Sequence, residues 1–139
     1  MAEATNFSGH VEGGVRRLLR AEGLALLAGA VALYWRVGGD GKQFAILFLS
    51  PDLSFAGYLA GPRIGAAAYN TMHSTLLPLL LLGAGIALGQ PLALQVALIW
   101  LAHVGFDRAL GYGLKYAAGF GFTHLGWLGK AQRRKSKES

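Results

Sequence analysis

Cysteine is absent from the chain, which removes disulfide frameworks, thiolate metal sites and cysteine nucleophiles together and leaves no redox clue to compartment. Acidic residues are scarce, 7 against 13 Lys and Arg, and charged residues of both signs make up only 14% of the 139 residues. Soluble domains carry about 25%. The stretches Ala21–Ala32 and Leu76–Trp100 contain no Lys or Arg. The net charge of +6 is therefore concentrated near the two ends instead of forming a basic surface, and no nucleic-acid partner is expected. The start, Met1–Gly14, is polar and includes Glu3 and Glu12. It lacks the basic beginning and small-residue cleavage site of a secretory leader, so the first hydrophobic segment is expected to stay in the mature protein.

What the chain has in abundance is apolar surface: 53% hydrophobic residues and a mean hydropathy of +0.40. A membrane-spanning helix needs about 20 mostly apolar residues, at roughly 1.5 Å each, to cross a hydrocarbon core of roughly 30 Å. Four stretches meet this requirement. The first runs from Leu18 to Trp35, with Arg16, Arg17 and Arg20 at its start and Trp35 and Arg36 at its end as interfacial anchors. Gly38, Gly39 and Gly41 then form a turn. The second runs from Gln43 to Gly61, apolar except for Ser50, Asp52, Ser54 and the tip of Tyr58, and is expected to bend at Pro51. The third centres on Leu76–Leu88 and can begin as early as Ile64, which makes it long enough to tilt. Gly89, Gln90 and Pro91 allow only a tight hairpin before the fourth, which rises from Leu92 to Phe106 and is expected to continue helically toward Leu114.

These patterns predict an all-α integral membrane bundle of about four transmembrane helices. A polar N-terminus (1–17) precedes the transmembrane domain (18–114), which is followed by a Gly and aromatic segment (115–129) and a basic tail (130–139). Arg16, Arg17, Arg20, Arg63, Arg108, Lys115, Lys130, Arg133, Arg134, Lys135 and Lys137 fall on one side of such a bundle, while Arg36 and Lys42 fall on the other. The positive-inside rule then places both termini in the cytoplasm. The tail is expected to anchor this topology, with membrane lipids as its partners.

Ionisable groups inside a bilayer cost roughly 2.5–3.5 kcal/mol each on insertion scales, so their presence calls for a reason. Glu22 lies in the first span, Asp52 in the second, Asn70 and His73 in the third, and His103 and Asp107 in the fourth. At helical rise from the outer ends, Asp52 lies roughly 14 Å deep, His103 roughly 18 Å, Glu22 roughly 20 Å, and His73 and Asp107 roughly 24 Å. One polar level in the inner half follows. His103 and Asp107 are four residues apart and Asn70 and His73 three, so each pair shares a helix face. Three explanations fit such a cluster: mutual hydrogen bonding that fixes helix packing; a divalent metal site (Zn, Mn or Fe) on Asp52, His73, His103 and Asp107, with hydrolytic chemistry at an open position; or a relay for protons or small solutes. No His-Glu-x-x-His motif is present.

Beyond the fourth span, Gly111, Tyr112, Gly113, Tyr116, Gly119, Phe120, Gly121, Phe122 and Trp127 make an interfacial stretch, with Arg108 and Lys115 near lipid phosphates. The Gly-x-Gly at Gly111–Gly113 follows a helix instead of a strand, so it is not read as a phosphate loop. His124 either folds back over the cluster as a further ligand or sits in the interface.

The strings SPDLSFAGYLAGPRIGAAAYNTMH (Ser50–His73) and AHVGFDRALGYGLKYAAGFGFTHLG (Ala102–Gly126) resemble, in sequence and order, the signature blocks of the Domain of Unknown Function 4260 family of small bacterial membrane proteins. The resemblance covers Leu19–Gly129. It implies a multi-pass protein of the bacterial inner membrane and supplies no activity. It also implies that Asp52, Tyr58, Tyr69, Asn70, His73, His103, Asp107, Arg108, Tyr112, Lys115 and His124 belong to the family pattern. A looser likeness to membrane-bound metal-dependent hydrolases extends to Asp and His in short apolar helices but not to their His-rich motifs, which are not reproduced here; the leading active expectation is a metal-assisted hydrolase acting on a lipid or membrane-embedded substrate. The opposing expectation is a non-catalytic membrane protein whose polar cluster serves packing, proton relay or solute passage.

Single cysteines introduced at Gly39 and at Ser136 should label from opposite faces of the membrane. Labelling of both by an impermeant reagent added outside would overturn the charge-derived orientation.

Overall fold

The computed structural model describes residues 11, 13–115 and 122–127. Residues 1–10 and 12 of the polar start, the aromatic stretch from Tyr116 to Gly121, and residues 128–139 with the basic tail lie outside the described residues. Five α-helices and one long 3-10 helix follow in order: α1 (Gly13–Arg36), α2 (Gly41–Phe48), the 3-10 helix (Ser50–Ala60), α3 (Pro62–His73), α4 (Leu76–Leu88) and α5 (Pro91–Leu110). A two-residue antiparallel hairpin, Phe122–Thr123 with Gly126–Trp127, comes after them. The helices make four candidate membrane spans: Gly13–Arg36, Gly41–Ala60, Pro62–Leu88 and Pro91–Leu110. The chain is thus an all-α bundle with four segments long and apolar enough to cross a membrane.

The first span begins at Gly13, one polar turn before the apolar run. The second differs more from expectation. Instead of one bent helix it is α2 followed by eleven residues of 3-10 helix, a run far beyond the usual three or four residues. The change falls at Pro51, whose nitrogen cannot donate back to the Leu47 carbonyl. The Ser50 hydroxyl donates to that carbonyl instead, at 2.7 Å, and Ser54 donates to the Pro51 carbonyl at 2.7 Å. Tighter winding also lengthens the segment. At roughly 2.0 Å per 3-10 residue, against roughly 1.5 Å in an α-helix, α2 and the 3-10 helix together cover the roughly 30 Å core.

The third span is also interrupted, where a single tilted helix was expected. Helix α3 ends at His73, Ser74 is extended (φ −83°, ψ 159°), and α4 starts at Leu76. Pro78 accounts for the break, because an uninterrupted helix would need its missing N–H to reach the Ser74 carbonyl and would drive its ring into that oxygen. The fourth span stops at Leu110, short of the predicted Leu114. Gly111 adopts the left-handed conformation (φ 92°), and the amides of Gly111 and Tyr112 close onto the carbonyls of Arg108 and Asp107 in a Schellman-type cap.

Helix α5 is the central element: 50% of its apolar stretch is buried, against 17%, 6% and 17% for the other three spans. It packs against α1, α2 and α4, while α3 packs on the 3-10 helix. The α1–α5 crossing is set by two glycines. A Cβ on Gly23 would meet the Gly105 carbonyl oxygen at 2.9 Å, and one on Gly105 would meet the Gly23 oxygen and the Leu27 nitrogen at 2.7 Å. In lipid, where apolar contact with a neighbouring helix offers no advantage over a lipid tail, such backbone approach is a main source of association. Arg20 ties the same ends together by donating to the Ala109 carbonyl at 2.9 Å.

Gly23→Ala and Gly105→Ala should each destabilise the detergent-solubilised protein by about 1–3 kcal/mol, the range of overpacked cores. Gly29, whose added Cβ would meet nothing within 4 Å, serves as the control. Gly29→Ala should leave the thermal midpoint unchanged or slightly raised; equal losses at all three positions would contradict the packing account.

Candidate metal centre

The two interruptions and the unbroken α5 meet at one place. Asp52 sits just after Pro51 in the 3-10 helix, His73 is the last residue of α3, and His103 and Asp107 lie one turn apart on α5. Asp52 Oδ1 is 3.1 Å from His73 Nε2 and 3.3 Å from His103 Nε2. Asp107 Oδ2 is 3.5 Å from His73 Nε2 and 3.4 Å from His103 Nε2. The two Nε2 atoms lie 3.1 Å apart, and all four donor atoms fall within 4.8 Å of one another.

The two imidazoles are framed from behind. The His73 Nδ1 atom is 2.9 Å from the Tyr69 carbonyl oxygen. A carbonyl only accepts, so Nδ1 carries the proton and Nε2 of the neutral ring turns a lone pair toward the cluster. The Tyr69 ring stacks on that imidazole at 3.8 Å, nearly parallel. Phe48 meets the His103 ring edge-on at 5.3 Å. The His103 Nδ1 atom is buried with no hydrogen-bond partner among the described residues.

The end of α3 is fixed by α5. The helix leaves carbonyls without intrahelical partners; the Trp100 indole donates to Met72 at 2.6 Å and the Arg108 guanidinium donates to His73 at 2.8 Å. A second Arg108 nitrogen donates to the Tyr112 carbonyl at 2.9 Å. Arg108 is thus a cap for α3 whose charge also acts on Asp107 from beyond ion-pair distance; among the described residues no arginine forms a direct ion pair with Asp52 or Asp107. Burial is uneven. The side chains of His73 and His103 are 0% and 2% exposed, Asp107 is 12% exposed, and Asp52 is 37% exposed. The site therefore has one open edge, at Asp52.

The remaining residues singled out from the sequence lie elsewhere. Glu22 is exposed on α1 and lines a separate cavity with Thr75, Arg108 and His124, so the cluster draws on three spans and not four. Asn70 pairs with the backbone of Lys115, donating to its carbonyl at 2.8 Å and accepting from its amide at 2.6 Å. That bond docks the segment after α5 against α3. Lys115 is buried, with its ammonium 5.0 Å above the Tyr69 ring, and burial draws its pKa down to about 8. His124 does not fold over the cluster. Its Nδ1 accepts from the Leu114 amide at 2.8 Å, and burial followed by the nearby Arg108 charge lowers its pKa. Tyr58 packs its ring where a side chain on Gly65 would stand, and Tyr112 is exposed.

Sequence reasoning passed over two residues that build the site, Pro78 and Trp100. Each carried a signal: a proline two residues into an apolar run, and an indole N–H at mid-span that requires an acceptor. A cavity of about 190 Å³ is lined by Leu47, Ser50, Pro51, Met72, Val96, Ile99 and Trp100, none of them a member of the cluster. Pro51 and Met72 are the chain neighbours of Asp52 and His73, and Ile99 is one turn from His103.

In comparison with known proteins, a family model described as a domain of unknown function (DUF4260) matches residues 16–128. No curated protein and no solved structure matches the chain.

Proposed function

The chain belongs to the DUF4260 family, a domain of unknown function, and from the site itself we propose a membrane protein with an intramembrane divalent-metal centre that performs metal-assisted hydrolysis. The observation that carries this reading is the set of distances. Ligand atoms held about 2.0–2.2 Å from a tetrahedral ion lie roughly 3.3–3.6 Å apart, and five of the six edges here measure 3.1–3.5 Å. Two neutral imidazoles with two carboxylates suit Zn, Mn or Fe. Charge supports the same conclusion. Two carboxylates within 4.8 Å repel each other in a medium of low dielectric; Arg108 and Lys115 act on Asp107 only from beyond contact distance, and a dication between the carboxylates offsets both.

A bound ion in such a setting lowers the pKa of water and polarises a carbonyl or phosphoryl oxygen. His73, His103 and Asp107 hold the buried side, with His73 fixed by a backbone carbonyl and a stacked ring and His103 by an edge-on ring. Asp52, at the open edge, is the group placed to shift between ligation and acceptance of a proton from incoming water. The apolar cavity lined by its chain neighbour Pro51 suits the hydrocarbon part of a lipid or other membrane-embedded substrate. Both termini face the cytoplasm on the distribution of Lys and Arg.

Purified protein should carry close to one equivalent of metal, and His73→Ala and His103→Ala should each lower occupancy sharply. Asp107→Asn should weaken affinity by about 10-fold or more. Cells overexpressing the wild type, but not His103→Ala, should show a changed lipid profile. A pure packing role predicts the opposite pattern: no metal by elemental analysis, and a stability loss in His→Ala variants that His→Gln largely restores. Metal without any change in lipids would leave a structural centre and remove the hydrolase.

A further inference from the structure

A cavity of about 420 Å³ lies away from the cluster, between the outer faces of α1 and α5. Leu24, Leu27, Phe106 and Leu110 line it, and Arg17 and Arg20 flank it at the end toward the start of α1. The two arginines are three residues apart and share one helix face. Their charges are uncompensated: neither meets a carboxylate among the described residues, and no acidic residue lines the groove. By contrast, nearby Arg16 donates to the Leu125 carbonyl and Arg108 caps α3. The Arg20 Nε donation to the Ala109 carbonyl holds that guanidinium at the mouth of the groove.

The geometry points to a bound anionic phospholipid, with its phosphate on Arg17 and Arg20 and an acyl chain along the α1–α5 groove. The match is of charge and of depth. From Arg17 to Leu27 the groove runs roughly 15 Å along the helix axis, and it begins where interfacial arginines sit, at headgroup level. An occupant must therefore be anionic at one end and apolar along its remainder. A soluble phosphate meets only the first requirement, and a second copy of the chain, which could bring the exposed Glu22 of its own α1, is separated from a lipid by the oligomeric state read below. This site is independent of the metal reading, since none of its lining residues belongs to the cluster.

Native mass spectrometry of the full chain, delipidated in neutral detergent and offered equal dioleoylphosphatidylglycerol and dioleoylphosphatidylcholine, tests the assignment. The wild type should retain one phosphatidylglycerol per chain in preference to phosphatidylcholine, and glycerol phosphate should not displace it. Arg17→Gln, which breaks no hydrogen bond seen in the structure, should weaken phosphatidylglycerol retention about fivefold, the equivalent of roughly 1 kcal/mol for one interfacial arginine. Ala21→Phe, filling the groove without altering charge, should reduce retention of both lipids. Arg63→Gln removes a positive charge outside the groove and should match the wild type. Equal retention of the two lipids, an equal loss in Arg63→Gln, displacement by glycerol phosphate, or a lipid-free dimer would each overturn the site.

Discussion

Inside a bilayer no water is present to hydrogen-bond a backbone that leaves its helix, so every interruption must be satisfied by protein. This chain interrupts two of its four spans, at Pro51 and between His73 and Leu76, and the rest of the architecture follows from how those interruptions are met. Ser50 takes up the carbonyl freed by Pro51. Trp100 and Arg108, both from α5, take up carbonyls at the end of α3. The end of α3 is therefore tied to α5, which is the most buried span chiefly through its packing on α1. Asp52 and His73, the residues next to the breaks, come within 3.5 Å of His103 or Asp107.

Magnitudes separate the competing readings of the cluster. Interhelical hydrogen bonds in membranes contribute roughly 0.6–2 kcal/mol each, while an ionised carboxylate near the centre costs roughly 2.5–3.5 kcal/mol to insert. Two carboxylates side by side add their mutual repulsion. Hydrogen bonding among the four groups barely offsets that cost, whereas metal binding at preorganised sites reaches about 10–16 kcal/mol for structural zinc. A packing role would be served more cheaply by neutral Asn or Gln. Stacked Tyr69 and edge-on Phe48 exclude water from the imidazoles, which strengthens electrostatic interaction with an ion.

Much of this was legible in the sequence because the relevant signals are local. Apolar runs of sufficient length gave the four spans, and counting rise per residue brought Asp52, His73, His103 and Asp107 to one level. What depth could not give was azimuth. Glu22 shares the level but sits on the exposed face of α1, and Asn70, one turn before His73, turns to the Lys115 backbone. The i,i+3 spacing placed Asn70 and His73 on neighbouring positions without saying which partner each would find. The interruptions were half legible. Pro51 announced its bend, but the long 3-10 segment depends on Ser50 and Ser54 taking up carbonyls. Pro78 was hidden within the most apolar run of the chain, where hydropathy outweighs a single breaker. His124 needed the tertiary fold, since its bond to Leu114 closes a hairpin that sequence periodicity does not report.

X-ray absorption spectroscopy of the purified wild-type protein tests the metal centre most directly, because it reads the coordination shell itself. The account predicts a divalent-metal edge with about four nitrogen and oxygen scatterers at roughly 2.0–2.2 Å and the outer-shell pattern of two imidazoles, reduced to one imidazole in His103→Gln. A protein free of metal, or an ion surrounded by water oxygens with no imidazole signature, would contradict it.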